Sequence, residues 1–172
     1  MESWILTSTG RKFCPFSPDM DAVAIEDIAH SLSMQCRYNG HCRVFYSVAE
    51  HSVRVSRILP DEYALWGLLH DAAEAYLSDM PRPVKYQLTA FLEYEDALLK
   101  QLAAHFGLSW PMPDAVKEAD DILLVTELRD IMPPSPRLKE FGVEPLEERI
   151  VETLLPQEAK ALFLERFGEL AG

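Results

Sequence analysis

The order of apolar and polar positions reads as a succession of helices separated by Pro- and Gly-marked loops. Val23, Ile25, Ile28, Ala29 and Leu32 recur at helical spacing and predict a helix over 22–34. Ser47 followed three residues later by Glu50 is a capping-box pattern, and it opens a helix running to about Leu59. Pro60 stops that helix. Asp61 then stands where a cap is needed for the next one, which carries the apolar run 64–69 and is expected to continue to about Tyr76. Leu88, Leu92, Leu99, Leu102 and Phe106 lie on a long amphipathic helix over 86–106, closed by Gly107. Another helix is predicted over 114–131, ended by Met132-Pro133-Pro134, and the tail is expected to add helices at about 145–155 and 158–167.

The segments between these helices carry breakers. Gly10, Pro15 and Pro18 mark the first 20 residues as an irregular or short-stranded arm, and Asn39-Gly40 marks 35–45 as a loop or small hairpin. Pro81 and Pro83 prevent 80–83 from being helical throughout. With no βαβ alternation to suggest a parallel sheet, the fold class expected is all-α. It would be a bundle of about six or seven helices in one domain, 1–172, with its core at about 21–131.

Composition narrows the function classes. At 172 residues, 48% hydrophobic and 26% charged, the chain can bury one good core and is not a disordered polymer. A formal charge of −12 and an isoelectric point near 4.8 argue against nucleic acid as a partner, since duplex binding needs a basic face. Cys14, Cys36 and Cys42 are too few and too irregular for a disulfide framework or a thiolate zinc site. Neither a signal peptide nor an apolar run of membrane-spanning length is visible, so the expectation is a soluble, cytoplasmic protein with no membrane partner. The long 86–106 helix and the apolar tail leave a homo-oligomer open.

Against that background the histidines stand out. His51 lies on the apolar stripe of Val48, Val55 and Ile58, where an imidazole needs a partner. His70-Asp71 follows directly on the apolar run 64–69, and Glu74 lies four positions after His70, so one side of one helix would present all three. Asp120 shares a helix face with Val116, Leu123 and Glu127, while Asp121 points about 100° away. Each residue alone reads as a hydrogen-bonded core group or a salt-bridge partner. Together, two imidazoles and two carboxylates from three helices make a mixed N/O site for a divalent metal such as Mn²⁺, Co²⁺, Zn²⁺, Fe²⁺ or Mg²⁺. Glu127, Arg129 and Asp130 either line the site beside Asp120 or, as is commoner for such residues, make interhelical ion pairs.

The pattern His51, His70-Asp71, Asp120 resembles that of the HD-domain metal-dependent phosphohydrolases. Ala49-Glu50-His51-Ser52, His70-Asp71-Ala72-Ala73-Glu74 and the segment Asp79 to Lys85 extend the likeness to compact bacterial 5′-deoxynucleotidases and phage deoxynucleotide (dATP-type) hydrolases, over about 25–127. The resemblance implies an all-α HD fold and hydrolysis of a phosphate of a deoxynucleoside monophosphate or triphosphate. It implies that His51, His70, Asp71 and Asp120 hold the metal, that Glu74 orients or deprotonates the attacking water, and that Asp79 supports that water or the leaving oxygen. Arg37 and Lys85 would bind phosphate, and Tyr38, standing where these enzymes carry tryptophan, would pack on sugar or base. As residue types, Arg37 and Lys85 fit phosphate through a fork and a point charge, although solvated surface is the usual place for both. His41, in an added Asn39-Gly40-His41 loop, would either assist at the phosphate or close the loop. A binding or regulatory module without catalysis is the alternative reading.

Overall fold

The main chain runs through β1 (Ile5–Leu6), β2 (Lys12–Phe13), α1 (Ile25–Met34), α2 (Val48–Ile58), α3 (Asp61–Leu69), α4 (Glu74–Leu77), α5 (Arg82–Lys85), α6 (Thr89–His105), α7 (Asp114–Asp130) and α8 (Pro156–Leu170). These elements come from a computed structural model that describes residues 3–172. The fold is an all-α bundle; β1 and β2 form only a two-stranded antiparallel arm, with Ile5 opposite Phe13. Asp27 on α1 holds the arm down by accepting from Ser8 Oγ at 2.6 Å and Thr9 N at 2.7 Å. Phe13 seals it by stacking on Tyr76 with centroids 3.9 Å apart.

Helix α2 is the centre of the bundle and packs against α1, α3, α7 and α8. Ser47 Oγ accepts the Glu50 N–H at 3.1 Å, as the capping pattern predicts. The reciprocal half of that box is absent, because the Glu50 carboxylate turns instead to Arg54 Nη2 and to the Leu154 N–H, each at 2.8 Å. Two apolar clusters meet at α2. One holds Ile28, Leu32, Val53, Leu68 and Phe163; the other holds Val55, Trp66, Val116 and Leu123. Burial in both is what fixes the helix and whatever it carries.

Three expectations are corrected. Pro60, not Asp61, occupies the cap of α3; Asp61 is its first helical residue, where its charge still favours the helix N-terminus. The helix expected to run on to Tyr76 breaks after Leu69. His70 Nδ1 takes the Gly67 carbonyl at 2.8 Å, and the chain tightens into shorter turns, with Ala72 N–H on Leu69 O and Glu74 N–H on Asp71 O, both at 2.9 Å. In the tail, 145–155 is not helical and α8 alone follows it. That stretch is a strap whose backbone groups bond to side chains of the bundle. Arg129 donates to Leu146 O at 2.6 Å and Glu148 O at 3.0 Å, and Asp130 accepts the Ile150 N–H at 2.9 Å.

Gly67 sits where α2 and α3 come closest, since a Cβ there would stand 2.5 Å from Leu59 Cδ1 and 3.0 Å from the Ser56 Cα. Gly67→Ala is expected to cost about 1–3 kcal/mol through overpacking, lowering the midpoint of a denaturant melt. An unchanged midpoint would show that this close approach is not tight.

Candidate metal centre

Two helices and one turn bring the site together. His51 comes from the buried centre of α2, His70 and Asp71 from the tightened turn after α3, and Asp120 from the middle of α7. One ligand atom each of His51, His70 and Asp120 lies within 4.8 Å of the other two, and this group could hold a metal ion. Asp71 Oδ2 borders it, 3.2 Å from His70 Nε2 and 3.7 Å from His51 Nε2. Asp120 Oδ1 lies 3.2 Å from His51 Nε2.

The two imidazoles are held from behind. His51 Nδ1 faces Glu127 Oε1 at 2.6 Å, and His70 Nδ1 faces the Gly67 carbonyl at 2.8 Å. Both Nδ1 atoms therefore donate, and both Nε2 atoms are turned inward, where neither finds a hydrogen-bond partner despite being buried. Two inward nitrogens without partners, facing two carboxylates, are what a cation would satisfy. The residues present fit a divalent metal.

Electrostatics agree with that geometry. Burial and the nearby Arg37 both push the His51 pKa down, yet Glu127 and Asp120 raise it to about 9. Burial would also raise the Asp71 and Asp120 carboxyls, but the imidazoles overcome it and hold both well below the ordinary carboxylate range. The same field that attracts a proton to Nε2 attracts a metal.

Glu127 is the residue whose role the sequence understated. It is fully buried and carries Tyr38 Oη at 2.5 Å and Arg37 Nε at 3.2 Å as well as His51. Burial pushes its pKa up, and Arg37 and His51 more than reverse that, to about 2. Its signal was present in the shared face with Asp120, but an interhelical ion pair was the simpler reading. Arg129 and Asp130, by contrast, pair with each other and hold the strap.

A cavity of about 580 Å³ opens beside the centre and is bordered by His70, Asp71 and Asp120. Glu74, Asp79, Arg37, Tyr38 and Lys85, all singled out from the sequence, line it too, whereas His41 is exposed and outside the lining. Glu74 Oε1 accepts from Lys85 Nζ at 3.1 Å while Oε2 is buried without a partner. Burial, with Asp71 and Asp79 adding to it, raises the Glu74 carboxyl well above its usual range. Gln35 fixes the neighbouring turns by accepting the Asp79 N–H at 2.9 Å and donating to Glu74 O at 3.0 Å. Tyr38 adopts φ 56°, a costly left-handed conformation for an aromatic residue, and its bond to Glu127 holds it there. Arg82, not anticipated, grips Asp120 Oδ2 at 2.5 Å and Asp121 Oδ1 at 3.0 Å, spanning two carboxylates that the helix points apart.

No protein-family model matches the chain. Along 98% of its length it is 39% identical to the uncharacterized protein YfdR of Escherichia coli (strain K12), covering 96% of that protein. An uncharacterized protein of Rhodobacter capsulatus is 35% identical over 127 residues, 68% of this chain and 65% of that one. The chain belongs to the same family as YfdR.

Two measurements probe this geometry. Glu127→Gln is expected to weaken Co²⁺ binding by about 10- to 100-fold, the usual effect of losing an outer partner of a ligating histidine; unchanged affinity would remove Glu127 from the centre. Because His51 titrates near 9 without a cation, it is protonated at neutral pH and an ion must displace that proton. Co²⁺ affinity should therefore rise from pH 6 towards pH 9, with proton release visible by calorimetry in buffers of different ionisation enthalpy. A flat profile with no proton release would contradict the assignment of Nε2 as a ligand.

Proposed function

We propose that this member of the YfdR family is a metal-dependent phosphohydrolase acting on deoxynucleotides, of the HD type that its motifs resemble. The observation that carries the proposal is the pair of buried, unpartnered Nε2 atoms of His51 and His70, set against Asp71 and Asp120 with Glu74 beside them. His51, His70, Asp71 and Asp120 would hold the ion. When bound, a divalent ion supplies Lewis acidity, making water acidic near neutral pH and offsetting charge on a phosphoryl group.

The remaining work falls to side chains. Glu74, buried and with Oε2 free beside the centre, is placed to take the proton of the attacking water, and burial raises its carboxyl above the usual range. Lys85, bonded to Glu74 Oε1 at 3.1 Å and Glu95 Oε1 at 2.8 Å, fixes which oxygen is free. Asp79, raised mainly by burial, lies on the same cavity and supports the water or the leaving oxygen. Arg37 reaches towards the centre, with Nη1 3.8 Å from Asp71 Oδ2, and supplies positive charge for phosphate. The cavity is large enough for a nucleotide, and it joins these charged groups to apolar ones such as Met112 and Leu124. A nucleotide brings both kinds of group, an anionic phosphate and a flat base.

The test is turnover of dAMP and dATP with Mn²⁺, Co²⁺, Zn²⁺ or Mg²⁺, with products resolved as orthophosphate or tripolyphosphate. The proposal expects metal-dependent release of one of these. It also expects Glu74→Gln to lower kcat by at least about 100-fold, the scale of general acid–base catalysis, with metal content unchanged. Absence of turnover with every ion would overturn it, and full activity in Glu74→Gln would remove Glu74 from the chemistry.

A further inference from the structure

The mouth of the cavity holds two large rings that the chemistry above leaves unused. Tyr86, just after α5, is 65% exposed, and Phe141 in the 136–141 turn is 46% exposed, yet both line the cavity that reaches His70, Asp71 and Asp120. The two rings come from segments distant in sequence, one before α6 and one after α7, yet they share one cavity. Tyr38, the ring that the sequence nominated for the base, has its hydroxyl committed to Glu127 and its face to the Arg37 guanidinium, 5.4 Å from the ring centroid. Ring recognition is left to the pair at the mouth.

We propose that Tyr86 and Phe141 form a stacking subsite for the nucleobase of the substrate, in the same cavity as the cations that would meet the phosphate. This rests on the phosphohydrolase reading and deepens it by assigning which residues prefer a nucleotide over a base-free phosphate. Every base has a flat π-face, so two rings favour a planar heterocycle without fixing its identity. The apolar side chains of Met112 and Leu128 line the same cavity. The subsite is open to solvent on one side, which allows the base to enter while the phosphate travels inward.

The experiment compares dAMP with deoxyribose 5-phosphate, and dATP with deoxyribose 5-triphosphate, in the wild type and in Tyr86→Ala/Phe141→Ala, all with Co²⁺. The wild type should show a KM at least about 10-fold lower for the base-bearing member of the pair it hydrolyses. The double variant should erase that difference while leaving kcat, turnover of the base-free probe and Co²⁺ affinity within twofold. Tyr86→Phe should behave as wild type, because stacking uses the ring and not the hydroxyl. A preference retained in the double variant, or an equal loss on both probes, overturns the subsite. If the wild type hydrolyses all four probes with no preference for a base, the subsite falls and the phosphohydrolase reading stands. If it hydrolyses none, that reading falls and takes the subsite with it.

Discussion

The molecule is organised around one imidazole held between two sets of acids. His51 sits at the centre of the most buried helix, with Glu127 on one ring nitrogen and Asp71 and Asp120 near the other. A neutral pairing would need one acid; this ring faces three. Such a cluster is costly in a buried setting unless positive charge joins it. Arg37 contributes part of that charge from beside Glu127, and Arg82 contributes part from the outer side of Asp120. The inward nitrogens of His51 and His70 mark where the rest belongs. The packing of α2 against its four helical neighbours keeps these groups in place.

This arrangement also reconciles the overall charge with the proposed substrate. A chain of net charge −12 repels phosphate at long range, so affinity has to come from a local reversal of sign. Asp71, Glu74, Asp79, Glu95 and Asp120 also line the cavity, so the charge of a bound cation has to add to that of the three basic groups there, Arg37, Arg82 and Lys85. Each is held by carboxylates in the described structure, which keeps the guanidinium and ammonium groups oriented instead of mobile. Preorganised charge of this sort is what stabilises a phosphoryl group without reorganisation at the moment of reaction.

Much of this was legible in the sequence because it depended on local periodicity. The apolar stripe of α2 and the Ser47 cap placed His51, and the face shared by Val116, Asp120 and Leu123 placed Asp120 on α7. What escaped depended on side chains acting on backbone. The break after Leu69 has no proline or glycine at the break itself; it arises where the His70 ring takes a carbonyl. The 145–155 strap has a helix-like composition, but Thr126, Arg129, Asp130 and Glu50 bond its backbone groups from other elements. Arg82 and Asp120 are far apart in the chain, and no spacing rule connects them. Glu127 was visible as a neighbour of Asp120 on the helix, but its bonds to His51, Arg37 and Tyr38 are tertiary facts.

The central claim is that one cation bridges the inward faces of His51, His70 and Asp120. Anomalous diffraction at the zinc edge, from crystals grown with Zn²⁺, addresses it without reference to any activity. The account predicts one strong peak about 2.0–2.2 Å from both Nε2 atoms and from an Asp120 oxygen. A map with that ion bound elsewhere, and both Nε2 atoms unligated, would contradict it.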